Sequence, residues 1–214
     1  MNRTITPLAV FCLGLLLLCI TGCSAISTIA YFINPNDTPA AYPGLKNKKT
    51  VVVCRAESLE YSDPLISREL SGKIGIKLMQ NEDQKIDVID DQKLADWTDR
   101  NDWSDYRQVG KALKADMVVG VDIERFAIRQ GPTLLQGQAD VRISVYDIKE
   151  GGKKVWEYRP ATIKFPPNAP IPSSERQEAD FRRQFIERVA DEVAHNFYAY
   201  NSRDLHALDS MALK

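Results

Sequence analysis

The sequence has no excess of charge of either sign. It contains 28 Lys and Arg residues against 29 Asp and Glu residues, which gives a formal net charge of −1 at pH 7. A protein that binds nucleic acid needs a basic excess or a basic stripe to neutralise phosphates, and this chain shows neither. The composition therefore predicts no nucleic-acid partner.

Cysteine is scarce as well. Of the four cysteines in 214 residues, three lie near the N-terminus: Cys12, Cys19 and Cys23. The fourth, Cys54, has no partner for an internal disulfide in the rest of the chain. Because Cys54 lies in the apolar run 50–54, we expect its thiol to be buried.

The chain also lacks the signatures of metal, phosphate and catalytic sites. His195 and His206 have no partners at the spacing of a zinc site or a catalytic triad. Counting twelve positions from Asp99 reaches Gly110, where a calcium loop needs a glutamate. We therefore interpret the regularly spaced aspartates as helix caps and solvated positions, and we predict no catalytic residue, no metal and no cofactor. These aspartates are Asp96, Asp99, Asp102 and Asp105.

No apolar run is long enough to span a bilayer as a helix. The longest, from Leu8 to Ile20, has about 13 residues, whereas a transmembrane helix needs about 20. The run follows a short segment whose positive charges are Arg3 and the amino terminus, as in a signal peptide. We therefore predict that residues 1–22 are a signal peptide rather than a membrane anchor.

The residues that close this run carry a more specific signal. They resemble the bacterial lipobox, in which an aliphatic residue, a small residue and Gly or Ala precede a cysteine, and they are Ile20, Thr21, Gly22 and Cys23. The resemblance implies that Cys23 receives a thioether-linked diacylglycerol and becomes the mature N-terminus, since two or more acyl chains hold a protein on a membrane. Ser24 implies, by the same resemblance, sorting to the outer membrane. An ordinary secretory signal is the alternative.

Residues 23–49 have the composition of a tether between the lipid and a folded domain. At most roughly 80 Å can be bridged by about 25 extended residues. One part, Ala25 to Ile33, is too apolar for a solvated linker, and it either lies against the lipid surface or adds an element to the fold. The residues that disfavour helix and sheet here are Pro35, Pro39, Pro43 and Gly44.

Residues 50–123 alternate between short apolar strands and amphipathic helices. Strands are predicted at 50–54, 86–89 and 117–123. Asp63 and Pro64 begin a helix that ends near Asn81, and two shorter helices begin at Asp90 or Asp91 and at Ser104. The order βαβααβ predicts an α/β fold with helices on at least one face of a sheet. The inward residues expected on the first helix are Leu65, Ile66, Leu70, Ile74, Leu78 and Met79.

The rest of the chain predicts a long antiparallel hairpin and a closing amphipathic helix. Residues 135–147 alternate apolar and polar side chains, as in a half-exposed strand, and the return arm covers 155–158 and, past Pro160, 163–165. Ser174 and Gln177 form an expected capping box for the last helix. We therefore expect one mixed α/β (α+β) domain over residues 50–200, followed by a tail at 201–214. The helix residues expected to lie across the sheet are Phe181, Phe185, Ile186, Val189, Val193 and Phe197.

The passage from Val109 to Gly120, within this order of elements, resembles a group of envelope proteins. The group includes the N-terminal domain of the Tol translocation protein TolB, the lipoproteins that activate penicillin-binding proteins, and the curli-secretion lipoprotein. In them a helix ending in a Gly-x-x-Leu-x-Ala-Asp turn enters a strand with a Val-x-Gly core. The resemblance covers about residues 50–200, and it implies a non-enzymatic domain that docks other envelope components.

An aromatic cluster lies among the aspartates of the middle segment. Trp97, Trp103 and Tyr106 are candidates for a partner-binding surface, because aromatic patches rimmed by charge are typical of docking sites. Anchoring in the core is the alternative. Full burial of both indole rings would remove the docking interpretation.

Three function classes follow from these features. The first is an outer-membrane lipoprotein on the periplasmic face that acts as a non-enzymatic binding or scaffold module. The second is a subunit of an oligomeric secretion pore, which needs hairpin arms of about 9 to 11 residues with one apolar face. The arm from Leu135 meets this condition, but Glu157, Arg159 and Pro160 interrupt its partner. An enzyme is the third and least favoured class. The oligomeric state stays open.

Overall fold

The computed structural model of the chain describes residues 37–56 and 64–201. The predicted signal peptide, the lipidation site Cys23, the apolar segment 25–33 and the tail from residue 202 onward lie outside the described residues. Within the described ranges, no helix combines the length and the apolarity needed to cross a membrane.

The described elements confirm the predicted mixed α/β fold and its βαβααβ beginning. This beginning runs from β2 to β4. In chain order the elements are β1 (Asp37–Thr38), β2 (Lys49–Ala56), α1 (Pro64–Gln80), β3 (Asp87–Val88), α2 (Asp91–Thr98), α3 (Tyr106–Ala112), β4 (Met117–Arg129), β5 (Leu134–Asp147), β6 (Lys153–Tyr158), β7 (Ile163–Phe165), β8 (Ile171–Pro172), α4 (Glu178–Ala194) and β9 (Tyr200–Asn201).

The main sheet has the strand order β3-β2-β4-β5-β6, and β7 and β8 also pair with β5. Strand β2 is parallel to β3 on one side and to β4 on the other, whereas β4, β5 and β6 are antiparallel neighbours. From β2 the chain passes through α1 to β3 on one side of β2. It then passes through α2 and α3 to β4 on the other side. In open α/β sheets, such a reversal opens a crevice at the carboxyl ends of the strands.

Helices cover both faces of the parallel part of the sheet. The side chains of Val52 and Cys54 belong to a core that includes α1 and α4. Val51 and Val53 point the other way, into a second core formed with α2 and α3. This alternation follows from the period of two along a strand, and it explains why the run 50–54 is apolar at every position except the first.

Helix α1 has the predicted bounds, but two of its expected inward residues are exposed. Leu70, Ile74 and Leu78 are fully buried, whereas Leu65 is 63% exposed and Met79 is 58% exposed. The buried residues are spaced four apart and form a single stripe that faces the sheet. The neighbouring side of α1 packs beside α4. Lys73 and Lys77 of α1 form ion pairs with Glu187 and Asp191 of α4 at 2.5 and 2.7 Å.

Strand β5 is more buried than its alternation predicts. Its apolar face packs under α4, so Leu135 and Ile143 are fully buried. Gln136 and Ser144, predicted to be solvent-facing, are also buried because each finds a polar partner. The Gln136 amide donates to the carbonyl of Pro166 at 3.2 Å, and the Ser144 hydroxyl donates to Glu157 at 3.3 Å.

The described part of the predicted tether packs against the domain. Strand β1 pairs with β9, and the backbone N–H of Tyr42 donates to the carbonyl of Asn196 at 2.8 Å. Leu45 is fully buried in the main core. The prolines and Gly44 do prevent regular structure over much of this segment, but the segment is not a solvated linker from residue 37 onward. The folded unit therefore begins well before residue 50.

The last helix lies across the sheet as predicted, although its start differs. Phe181, Phe185 and Ile186 are fully buried, and Phe197 is also buried beyond the C-cap, His195. The N-cap is Gln177, whose side chain makes no capping hydrogen bond, so the predicted capping box is wrong. Glu178 and Asp180 in the first turn place negative charge at the helix N-terminus instead.

Candidate functional site

A cleft of about 470 Å³ opens at the carboxyl end of β2, between α1 and α2. It lies at the carboxyl end of a parallel strand, the end of α/β sheets where binding sites are commonly found. The end of β2 forms its floor, the first turns of α1 form one wall, and α2 with the following loop forms the other. The lining side chains used below are Cys54, Arg55, Arg68, Ser71, Asp99 and Trp103.

The cleft exists because β3 is short. Only Lys49 and Thr50 of β2 are registered with β3, and the carbonyl of Thr50 accepts the last such bond, from the N–H of Ile89 at 2.8 Å. The backbone N–H and C=O groups of successive residues in a strand face opposite neighbours. Those of Val52, Cys54 and Ala56 therefore face the same side as those of Thr50, toward β3. The Ser71 hydroxyl donates to the Val52 carbonyl at 2.7 Å. Among the described residues no strand pairs with this edge beyond Thr50.

A buried carboxylate holds the other side of the cleft together. Asp122, on β4, is 5% exposed. One of its oxygens accepts a hydrogen bond from the Tyr106 hydroxyl at 2.7 Å and two from the Arg55 guanidinium at 2.8 and 3.2 Å. Its second oxygen accepts from Arg142 at 3.4 Å. Such a carboxylate fixes the position of each group that surrounds it.

Arg55 links this network to the wall of the cleft. Its guanidinium carbon lies 4.9 Å from the ring centroid of Tyr106 and 5.9 Å from that of Trp103, within the range of a cation–π interaction. It also donates to the carbonyl of Ser104 at 3.0 Å. The two aromatic rings are 5.8 Å apart. The loop before α3 is therefore held over the end of β2 with the Trp103 ring on the cleft.

An ion pair spans the mouth of the cleft. The Arg68 guanidinium on α1 donates to both carboxylate oxygens of Asp99, at 2.8 and 3.0 Å. Both side chains are more than half exposed, so the pair contributes little to stability. It does offer an incoming ligand a donor and an acceptor at the rim.

The hydroxyl and thiol groups in the cleft are held by hydrogen bonds or by burial. The Ser71 hydroxyl is engaged by a backbone carbonyl, and so is that of Thr98, which donates to Ala95 at 3.1 Å. Burial raises the pKa of the Cys54 thiol, and the nearby Asp122 carboxylate adds to the shift. A nucleophilic cysteine needs the opposite shift, because the thiolate is the reactive form.

The Cys54 thiol gives a direct test of this part of the site. Because it is buried and its pKa is raised, we expect labelling with dithionitrobenzoate at pH 7 to be at least about 100-fold slower in the folded protein than in denaturant. The rate should increase with pH as thiolate forms. In the acylated mature chain, one thiol per molecule should be titrated after unfolding. Rapid labelling of the folded protein at pH 7 would contradict the burial.

The three aromatic residues that the sequence grouped together pack on the same core, but they differ in exposure. Trp103 lines the cleft and is partly exposed, and Trp97 is partly buried against the second core. Tyr106 is 3% exposed and its hydroxyl is bonded to Asp122, so it cannot face a partner. Burial of Tyr106 also raises its pKa. Trp103, which lines the cleft, and Trp97, which is partly exposed outside it, are therefore the remaining docking candidates.

Several residues of the cleft were not predicted from the sequence. Arg55 and Asp122 are 67 positions apart and meet only because β2 and β4 are adjacent. Arg68 lies on α1 and Asp99 is the C-cap of α2, and no periodic pattern relates the two positions. An aspartate inside the apolar strand 117–123 was the one available signal, since a buried carboxylate needs partners.

The residues that the structure describes contain no group of three or more His, Cys, Asp or Glu side chains placed to hold a metal ion.

Comparisons with known proteins give weak similarities. No family model matches the chain, and no curated protein matches it. The PelC dodecamer from Paraburkholderia phytofirmans is similar in structure with a TM-score of 0.42 and 14% identity, over 75% of this chain and 91% of that chain. Lipoprotein GNA1162 from Neisseria meningitidis has a TM-score of 0.40 and 10% identity, over 68% of this chain and 96% of that chain. These values are too low for an inference about the family or function of this chain.

Proposed function

We propose that this protein is a non-enzymatic docking module, anchored to the outer membrane through a lipid on Cys23, that binds an envelope protein on the periplasmic side. Its partner contributes an extended segment that adds to the open edge of β2 inside the cleft. The observation that carries the proposal is this edge, which stays without a strand partner over Val52 to Ala56 among the described residues.

Strand addition explains why the cleft has both polar and apolar walls. The backbone groups of Cys54 and Ala56 supply main-chain hydrogen bonds to an extended peptide, which gives affinity without regard to sequence. Leu94 and Trp103 supply apolar contact to alternate side chains of that peptide, and the pair Arg68 and Asp99 supplies polar contact at the rim. A partner segment with alternating apolar and charged residues matches this arrangement.

We infer the location of the module from three features of the sequence: the lipobox residues at 20–23, the predicted signal peptide before them and Ser24 after them. Asp37, where the described fold begins, is 14 positions after Cys23. An extended residue spans at most about 3.6 Å, so residue 37, where the described fold begins, stays within roughly 50 Å of the lipid surface. A partner reached at that distance belongs to the membrane or to the adjacent periplasm.

The test is a pull-down from crosslinked envelopes with three variants beside the wild type. Cys23→Ala removes the lipid. Ala56→Pro removes the N–H that points into the cleft while leaving the hydrogen bonds to β4, since alternate residues of β2 face β4. We expect Ala56→Pro to lower recovery of the partner about tenfold, as loss of a central contact does. Ala56→Val keeps the N–H and should bind like the wild type.

Three outcomes would contradict parts of the proposal. Equal recovery with Ala56→Pro and Ala56→Val, both folded by circular dichroism, would show that the β2 edge is not the docking site. Recovery of copies of this chain alone, in a ring-sized assembly, would favour a secretion-pore subunit instead. Recovery unaffected by Cys23→Ala would show that the lipid does not place the module.

A further inference from the structure

The two walls of the cleft carry opposite charges. Helix α1 covers one face of β2, and α2 covers the other face. Among the described residues that line the cleft, Arg68 is the charged side chain of α1, whereas Asp91 and Asp99 belong to α2 and its C-cap. Arg55, on β2 itself, also lines the cleft, but it is ion-paired with the buried carboxylate of Asp122 at 2.8 Å. The cleft is therefore basic on its α1 side and acidic on its α2 side.

The two walls neutralise each other at the rim. The guanidinium of Arg68 donates to both carboxylate oxygens of Asp99, and both side chains are more than half exposed. An exposed ion pair of this kind shifts an equilibrium by at most about fivefold, because water solvates the separated charges nearly as well. A ligand that supplies opposite charges of its own can therefore separate Arg68 from Asp99 at small cost.

An added strand meets both walls at once. Successive side chains of an extended segment point to opposite faces of a sheet, so one residue beside β2 faces α1 and the next faces α2. A carboxylate on the first of these residues would reach Arg68, and a cationic side chain on the second would reach Asp99, with Asp91 on the same wall. One ion pair within the domain is then replaced by two between the domain and its ligand.

We propose that the segment bound by the cleft carries an acidic and a basic residue next to each other in its sequence, at the level of Arg68 and Asp99. This chemistry rests on the proposed strand addition to β2, and it defines the partner as an extended segment of alternating charge. A segment with charges of one sign would bring like charges against one wall, which disfavours binding. Leu94 and Trp103, on the α2 side, provide apolar contact to the neighbouring residues that face the same way.

The test compares two capped peptides of identical composition, each added to the acylated mature protein in neutral detergent micelles. Both peptides contain one Lys and one Glu among alternating Thr and Val residues. In the first peptide the Lys and the Glu are adjacent, so their side chains face opposite walls. In the second peptide one residue separates them, so both face the same wall. We expect the first peptide to bind at least about fivefold more tightly by fluorescence anisotropy, because it alone forms both ion pairs.

Variants of the protein assign this preference to the rim and to the strand edge. Arg68→Gln combined with Asp99→Asn removes both charges from exposed positions, so the two peptides should then bind equally. Ala56→Pro should weaken the binding of both peptides about tenfold, whereas Ala56→Val should leave it unchanged. Circular dichroism checks that each variant is folded.

Equal binding of the two peptides by the wild type, weakened by Ala56→Pro, would overturn this inference and leave the strand addition intact. A preference for adjacent charges that persists in the variant without Arg68 and Asp99 would also overturn it. Binding unaffected by Ala56→Pro in folded protein would overturn the strand addition as well. If neither peptide binds, this inference is overturned, and the pull-down from envelopes decides the proposed function separately.

Discussion

Replacing Asp122 with alanine is expected to lower the free energy of unfolding by about 3 kcal/mol. The substitution leaves the buried Tyr106 hydroxyl without its acceptor and removes the carboxylate that faces Arg55 and Arg142. Because the Arg55 side chain is 38% exposed, water can solvate its guanidinium after the substitution, which reduces the loss of stability. Urea unfolding followed by circular dichroism gives the value.

Two matched variants separate the buried network from a general effect of removing an aspartate. Tyr106→Phe removes one hydrogen bond and leaves the ion pairs, so it should cost about 1 kcal/mol. Asp102→Ala, at an exposed position between α2 and α3, should change stability by no more than about 0.5 kcal/mol. A loss below about 1 kcal/mol for Asp122→Ala would show that the carboxylate does not hold the cleft wall in place.

Replacing Phe185 with alanine is expected to lower the free energy of unfolding by about 4 kcal/mol, more than the Asp122 substitution. The ring is fully buried, lies 4.9 Å from that of Phe126 between centroids, and packs directly on Gly137 of β5. Its removal leaves a cavity between helix and sheet that cannot collapse, because β5 is fixed by neighbours on both sides. Thermal unfolding of the purified domain measures the loss.

Gly137 provides the internal control for this packing. A Cβ at position 137 would lie 2.5 Å from the Phe185 ring, so Gly137→Ala should cost about 1 to 3 kcal/mol on its own. In the Phe185→Ala background the added methyl enters the cavity, and the two effects should be less than additive by at least about 1 kcal/mol. Strict additivity would contradict the contact between helix and strand.

Periodicity accounts for what could be predicted of the fold. The four-residue spacing of Leu70, Ile74 and Leu78, and of Phe181 and Phe185, placed α1 and α4 correctly because a helix buries one stripe. The strands at 50–54 and 117–123 were predicted from short apolar runs rich in β-branched residues. These patterns involve residues that are close together along the chain, so they can be recognised without knowledge of the tertiary structure.

Features that depend on a single residue or on strand order could not be predicted. Leu45 is one apolar residue among Pro, Gly and Lys, and a single residue forms no pattern, so its burial was missed. Tyr106 was grouped with two tryptophans by proximity along the chain, whereas its bond to Asp122 follows from the packing of α3 on β4. The cleft likewise depends on the short pairing of β3, which no residue pattern specifies.

The central claim is that the cleft, held near the membrane by Cys23, receives a segment of an envelope protein. Photo-crosslinking in living cells tests it most directly, with benzoylphenylalanine placed at Arg68 on the rim or at Arg183 on the exposed side of α4. We predict one adduct of defined mass from position 68, lost in the Cys23→Ala background, and none from position 183. Equal labelling from both positions, or no adduct from position 68 in the acylated protein, would contradict the claim.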